Sequence, residues 1–140
     1  MRKNLEELIG IILNRSEQFE ESAMASSDIR ELTVRQLHCL ETIHTLDNPS
    51  PSELAKELHI TKPSATVMID KLVGKDYVEK VKSDADRRIA HIHLTKKGIK
   101  ASLWHQEIHR DFASLLFRDL SGEEIYQLEK ILTKAINRLT

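Results

Sequence analysis

A mostly helical fold carrying one small β element is predicted by three features of the 140-residue sequence. Aromatics are only 4%, and 4 Gly with 3 Pro are too few turn residues for a sandwich or barrel. Apolar residues recur at helical spacing along most of the chain. A single stretch, 77–95, breaks that period and alternates instead. Apolar residues at 40% and charged residues at 31% describe a globular chain able to build a core. The length suits one compact domain or two small modules and leaves no room for a large two-domain enzyme.

Leu5, Leu8, Ile9, Ile12, Phe19 and Ala23 predict a long amphipathic first helix, with 24–30 read as a loop. Thr33 followed three residues later by Gln36 has the form of a capping box. Leu37, Leu40, Ile43 and Leu46 continue it as a second helix, closed by Asp47, Asn48 and Pro49. Ser50, Pro51 and Glu53 are another start signal, with proline at the first helical position. Leu54, Ala55 and Leu58 form the buried face of that short helix. After only His59 and Ile60, Thr61 is placed to cap a further helix from Lys62 to about Lys75. Two short helices joined this tightly must cross steeply, which is a helix-turn-helix.

Residues 77–83 (YVEKVKS) and 89–95 (IAHIHLT) alternate as strands, and 84–88 (DADRR) is a polar hairpin tip. A two-stranded ribbon after a helix-turn-helix is a wing. Thr95 then caps a long helix through Phe117, with Ile99, Leu103, Ile108, Phe112 and Leu115 at helical spacing. Ser121 and Glu124 start the last helix, where Ile125, Leu128, Leu132, Ala135 and Leu139 make a narrow apolar stripe. The first and last helices cannot both satisfy their apolar faces on so small a core. A second copy completing a helical bundle would bury them, so a homodimer is expected, with a closed monomeric bundle as the alternative. The division expected is a helical dimerisation region at 1–30 and 96–140 around a winged helix-turn-helix DNA-binding domain at 31–95.

The net charge of −1 hides a sorting. From 61 to 100, ten Lys/Arg face five Asp/Glu, a net of +5, while the remainder carries −6. A basic block in an acidic chain is the footprint of a polyanion-binding element. A single cysteine excludes a disulfide framework and Cys-based zinc fingers. Glu6 and Glu7 interrupt the apolar start, so neither a signal peptide nor a membrane span is expected, and a cytoplasmic location follows. Cys39 lies beside Leu40 and Ile43 with nothing basic next to it, which describes a buried, inert thiol. A small metal-dependent enzyme is the rival class. Against it, Asp84 and Asp86 fall on a hairpin tip rather than in a cleft, and no nucleophile–base pair or Gly-rich loop is present.

Asp84-x-Asp86-Arg87-Arg88 followed by Leu94-Thr95-x-x-Gly98, with Ser52-Glu53-Leu54-Ala55 upstream, resembles the MarR family of bacterial winged-helix transcription regulators. The run 86–98 is most similar to that family's fatty-acid-biosynthesis repressors, the FabT-like branch. One departure is Asp76, standing where the family usually has Gly at the end of the recognition helix. Asp tolerates the left-handed conformation less well than Gly but better than most residues.

In such a domain the second helix lies in the major groove. If Ala65, Ile69 and Leu72 face the core, the opposite side displays Lys62, Pro63, Ser64, Thr66, Val67 and Lys71. Methyls and methylenes there suit thymine, and no Arg is present for a bidentate guanine contact, so an A·T-rich inverted repeat is expected. Arg87 at the wing tip is the candidate minor-groove probe. Arg88 is also placed at the DNA, although pairing with Asp86 would make it a brace of the hairpin. Lys62, Lys71, Lys80 and Lys82 are phosphate candidates.

His105 and His109 stand at i,i+4, a spacing that lets two imidazoles share a metal. Resemblance to the zinc-sensing branch of the family implies Zn²⁺ ligands at Glu20, His38, His105 and His109, with Ser26 near the place of that branch's cysteine. The FabT-like resemblance implies a different effector, a long acyl chain carried by acyl carrier protein. Its tunnel would be lined by candidates such as Ile12, Leu37, Leu40 and Leu103. Those repressors resemble this chain at the Glu/His quartet too, so the quartet alone does not separate the two. His91 and His93 share one face of the wing, as a half-exposed ribbon face or a phosphate contact.

Overall fold

The computed structural model describes residues 1–140. Six helices and two strands run in the order α1 (Leu5–Ala25), α2 (Val34–Leu46), α3 (Pro51–Glu57), α4 (Lys62–Gly74), β1 (Val78–Lys82), β2 (Ala90–Leu94), α5 (Lys96–Leu116) and α6 (Gly122–Ile136). This is the mostly helical fold with a wing expected from the pattern. The chain divides into two compact units, Met1–Ile108 and His109–Thr140, with the boundary inside α5. No helix is long and apolar enough to cross a membrane.

Helix starts follow local chemistry. Thr33 accepts from the Gln36 amide at 3.1 Å, and Gln36 reciprocates on the Thr33 amide at 3.0 Å. Ser50 with Glu53 and Ser121 with Glu124 form the same box. The Ser121 amide and hydroxyl hold the Glu124 carboxyl below the usual carboxylate range. Asn4 and Glu7 box the start of α1 as well, a cap the apolar period does not announce.

The ends of α2, α3 and α4 turn through left-handed residues. Asp47, Asn48, His59 and Asp76 have φ of 55, 59, 54 and 66° respectively. His59 turns the chain between α3 and α4, and Asp76 turns it from α4 into β1.

The core of the first unit gathers Leu37, Leu40 and Ile43 of α2, Leu54 of α3, Ile69 and Leu72 of α4, and Tyr77 and Ile92 of the wing root. α1 runs to Ala25, past the expected end, because Met24 is drawn into this core at 4% exposure. The strands pair antiparallel in the register Val78↔Leu94 to Lys82↔Ala90. The Ile92 amide donates to the Pro49 carbonyl at 2.8 Å, so the wing is stitched to the α2–α3 turn. At Gly98 a Cβ would lie 2.1 Å from the Tyr77 carbonyl oxygen, so only glycine lets α5 start this close to the wing root.

In the second unit α6 buries none of its residues, and Tyr126, Ile131, Leu132 and Ile136 stay exposed. On α1, Leu5, Leu8, Ile9 and Ile12 are likewise exposed. Two apolar stripes are therefore left in water by the single chain.

Candidate nucleic-acid interface and histidine cluster

Helix α4 starts from Thr61, whose hydroxyl accepts from the Ser64 amide at 3.2 Å. Ala65, Ile69 and Leu72 are sealed at 0% exposure. That fixes the rotation of the helix. Lys62, Pro63, Ser64, Thr66, Val67 and Lys71 consequently face solvent, and Val67 is 54% exposed despite being apolar. A helix held by three buried residues and showing its N-terminal half to solvent has the geometry of a major-groove reader.

On the wing, Asp86 accepts from Nε of Arg88 at 3.1 Å, from Nη2 at 3.1 Å and from its amide at 3.0 Å. The Arg88 guanidinium, then its amide, hold the Asp86 carboxyl below the usual range. Arg88 is thereby turned back on its own hairpin, while Arg87 stays exposed beside it with no ion pair. Lys80 is paired too, with Asp70 of α4 at 2.5 Å. Lys82 remains exposed on β1. His91 and His93 are half-buried on one face, and His91 Nδ1 lies 3.1 Å from the Asn48 carbonyl oxygen, which gives it a bracing contact.

A second cluster lies among α1, α2 and α5. His105 is 1% exposed, with Nε2 at 2.9 Å from Oε1 of Glu20, itself buried. Its Nδ1 is engaged by Glu41. His38 Nε2 approaches the same Glu20 oxygen at 3.4 Å, and the two imidazoles stack with centroids 4.7 Å apart. One ligand atom each from Glu20, His38 and His105 fall within 4.8 Å of one another. His109 follows one helical turn after His105 on α5, at the start of the second unit. Both ring nitrogens of His105 are thus occupied by carboxyl groups, one from α1 and one from α2. One carboxylate and two imidazoles are a donor set that fits Zn²⁺.

Glu41 escaped the sequence reading. Its position three residues after His38 puts it on the same face of α2, which is the only local signal it gives.

The four residues named for an acyl tunnel are dispersed. Leu37 and Leu40 are fully buried in the core, whereas Ile12 and Leu103 are exposed at 39% and 47%. An open cavity of about 340 Å³ lies nearby instead, floored by Ile29, Tyr77, Ala101 and Trp104, with Lys97 and Lys100 at its rim. Cys39 is sealed, and burial pushes its thiol up to about 12, which keeps it unreactive.

Residues 32–90, from the end of the α1–α2 turn to the start of β2, match the sequence profile described as the MarR family. The transcriptional repressor MprA of Escherichia coli is 36% identical over 107 residues, 71% of this chain. The chain spans only 58% of that protein's length. The multiple antibiotic resistance protein MarR of Escherichia coli is 30% identical over 107 residues, covering 76% of this chain and 74% of its own. Among solved structures, FabT of Streptococcus pneumoniae bound to DNA superposes with a TM-score of 0.86 at 30% identity, over 96% of this chain and 94% of that one.

Proposed function

The chain belongs to the MarR family of DNA-binding transcriptional regulators, and from that premise we propose that it is a repressor that grips an A·T-rich inverted repeat as a homodimer. The observation that carries this reading is the solvent-facing side of α4, where Lys62, Ser64, Thr66, Val67 and Lys71 stand exposed over a fully buried Ala65, Ile69 and Leu72. Each subunit lays that face in a major groove and sends Arg87 into the neighbouring minor groove. A symmetric pair places its half-sites about one helical turn apart, ~34–36 Å. The apolar stripes on α1 and α6 support pairing, since a soluble monomer rarely leaves so much apolar surface in water.

For the effector we favour an acyl chain delivered by acyl carrier protein, with control of fatty-acid biosynthesis as its purpose. The likeness to FabT across nearly the full chain supports it, and the apolar floor of the cavity beside Trp104 suits the start of such a chain. A second reading is zinc response through Glu20, His38, His105 and His109. It draws on the convergence of a buried carboxylate with two imidazoles.

Titration of a fluorescent duplex at rising salt tests the core of the proposal. A steep linear loss of log affinity with log salt is expected. A flat response, or no binding to any duplex, removes the regulator reading. Repeating the titration with long-chain acyl carrier protein or with Zn²⁺ decides the effector, because only the true ligand shifts DNA affinity.

A further inference from the structure

We propose that Arg35, on the first turn of α2, clamps a DNA backbone phosphate, and that the cleft between α2 and α4 is the channel in which that strand lies. The inference rests on the DNA-binding reading and adds a residue from outside the recognition helix and the wing.

The cleft has a volume of about 490 Å³. One wall is the reading face of α4, with Ser64, Val67 and Lys71. The other is the start of α2, with Thr33, Arg35 and Gln36. No carboxylate lines it. On the α2 wall the polar groups are largely committed inward. The Thr33 hydroxyl holds the Gln36 amide, and Gln36 Oε1 takes the Thr33 amide and Nζ of Lys75, the latter at 3.3 Å. The Arg35 side chain is exposed and makes neither a hydrogen bond nor an ion pair, and across the cleft the Lys71 side chain is in the same condition. Two cations thus face one channel with nothing to neutralise them.

The placement of Arg35 is also costly for the isolated helix. The positive end of a helix favours acids in its first turn, and α1, α3 and α6 each have Glu there, while α2, α4 and α5 have none. α2 has no acid in its first turn and carries Arg35 instead. An anion arriving from outside offsets that cost. The chemistry selects phosphate, because a guanidinium fork matches two phosphate oxygens. Because α4 contains no Arg of its own, α2 supplies the guanidinium that the reading surface lacks.

The test uses the whole chain and a random-sequence duplex of about 30 base pairs, since a phosphate contact is blind to sequence. Affinity is measured by fluorescence anisotropy from 50 to 200 mM salt for wild type, Arg35→Ala and Arg35→Lys. Losing one phosphate contact per subunit lowers the slope of log affinity against log salt by about 0.9 per subunit. Across this fourfold range, that shrinks the salt-induced loss by about 3.5-fold per subunit. Arg35→Lys is expected to keep most of the slope, and circular dichroism should show all three proteins equally helical. An Arg35→Ala slope equal to wild type, on a steep wild-type line, overturns the assignment. So does a change in base preference at constant slope, which would make Arg35 a base contact. A wild type that does not bind duplex at all removes the regulator reading itself, a result distinct from either.

Discussion

Tyr77, at the root of the wing, donates its phenol to Glu31 in the α1–α2 turn across 2.7 Å. Lys97 on the first turn of α5 donates to the same carboxylate at 3.0 Å and lies 4.3 Å over the Tyr77 ring. It also donates to the Lys75 carbonyl, while Lys75 reaches back to the Glu31 carbonyl. Three segments far apart in sequence are fastened at one point: the turn before α2, the wing and the start of α5. Tyr77 and Lys97 also line the cavity beside Trp104, so the cavity and the wing root share this junction.

The first prediction concerns that junction. Tyr77→Phe keeps the buried ring and removes one hydrogen bond, so it should cost about 1 kcal/mol in urea unfolding. The bonds from Tyr77, then Lys97, hold the Glu31 carboxyl below its usual range. Its contribution is therefore present above the ordinary carboxylate pKa and lost as pH falls through the lowered one. Burial, then Glu31, raises the Tyr77 phenol. Stability from that side is complete below about pH 10 and declines as pH rises beyond it. Tyr77→Phe should flatten the alkaline decline and leave part of the acid one. An unchanged alkaline limb would show that Tyr77 is not the titrating group.

Asp76 carries a second prediction. Its φ of 66° lies in the left-handed region, where a Cβ is penalised and glycine is not. The Thr95 hydroxyl bonds the Asp76 carbonyl at 2.7 Å, a backbone contact that any residue retains. Asp76→Gly should therefore stabilise by roughly 0.5–1 kcal/mol, while Asp76→Val, β-branched, should destabilise by more than about 1 kcal/mol. Equal urea midpoints for the two variants would contradict a backbone origin.

These positions show what was legible in the sequence. Caps were readable where a hydroxyl and an acid or amide stand three apart, as at Thr33, Ser50 and Ser121, because both partners are local. The face of α4 was readable because burying Ala65, Ile69 and Leu72 leaves one rotation for the helix. The left-handed turn at Asp76 was visible through likeness to a family that places Gly there. The Glu41–His105 contact was hidden, since its partners are 64 residues apart and no periodicity encodes that pairing. The cavity beside Trp104 was hidden for the same reason. Its walls come from the α1–α2 turn, the wing root and α5, which share no local pattern.

The wing separates two adjacent arginines. Arg87→Ala removes an exposed, unpaired guanidinium, so DNA affinity should fall with thermal stability unchanged. Arg88→Ala instead frees Asp86 and loosens the hairpin, so its smaller loss in affinity should be mimicked by Asp86→Asn. Protonation should act in the same direction: the Asp86 carboxyl is held low by Arg88, so the brace persists above the ordinary carboxylate range and fails as pH drops through the lowered value. Gel-shift titration of the three variants checks the ordering. A larger loss for Arg88→Ala than for Arg87→Ala would reverse these roles.

The buried cluster yields a contrast between two histidines. Removing His105, at 1% exposure, strips the imidazole from the buried Glu20 carboxylate and should cost about 3 kcal/mol. Removing His38, half-exposed and 3.4 Å from the same oxygen, should cost under about 1 kcal/mol. Urea unfolding in chelator measures both without metal. If Zn²⁺ binds here it should raise the wild-type melting temperature with the logarithm of free zinc over its Kd, and either substitution should abolish that rise. A zinc-induced rise that survives His105→Ala would place the ion elsewhere.

Leu132 tests whether a second subunit covers α6. It lies in the apolar stripe and is 43% exposed in the single chain, alongside Tyr126, Ile131 and Ile136 at 50–63%. In a monomer Leu132→Glu merely trades a half-exposed leucine for a solvated acid, with little effect on stability. In a symmetric dimer the same change enters the interface twice, because the two-fold repeats every substitution. At about 2 kcal/mol for each copy, dissociation should strengthen by about a thousandfold. Light scattering after size exclusion should then report a monomer, still fully helical, whose affinity for an inverted repeat collapses because the two reading helices are no longer held one turn apart. A Leu132→Glu protein with the mass and operator affinity of wild type would leave α6 out of any dimer interface.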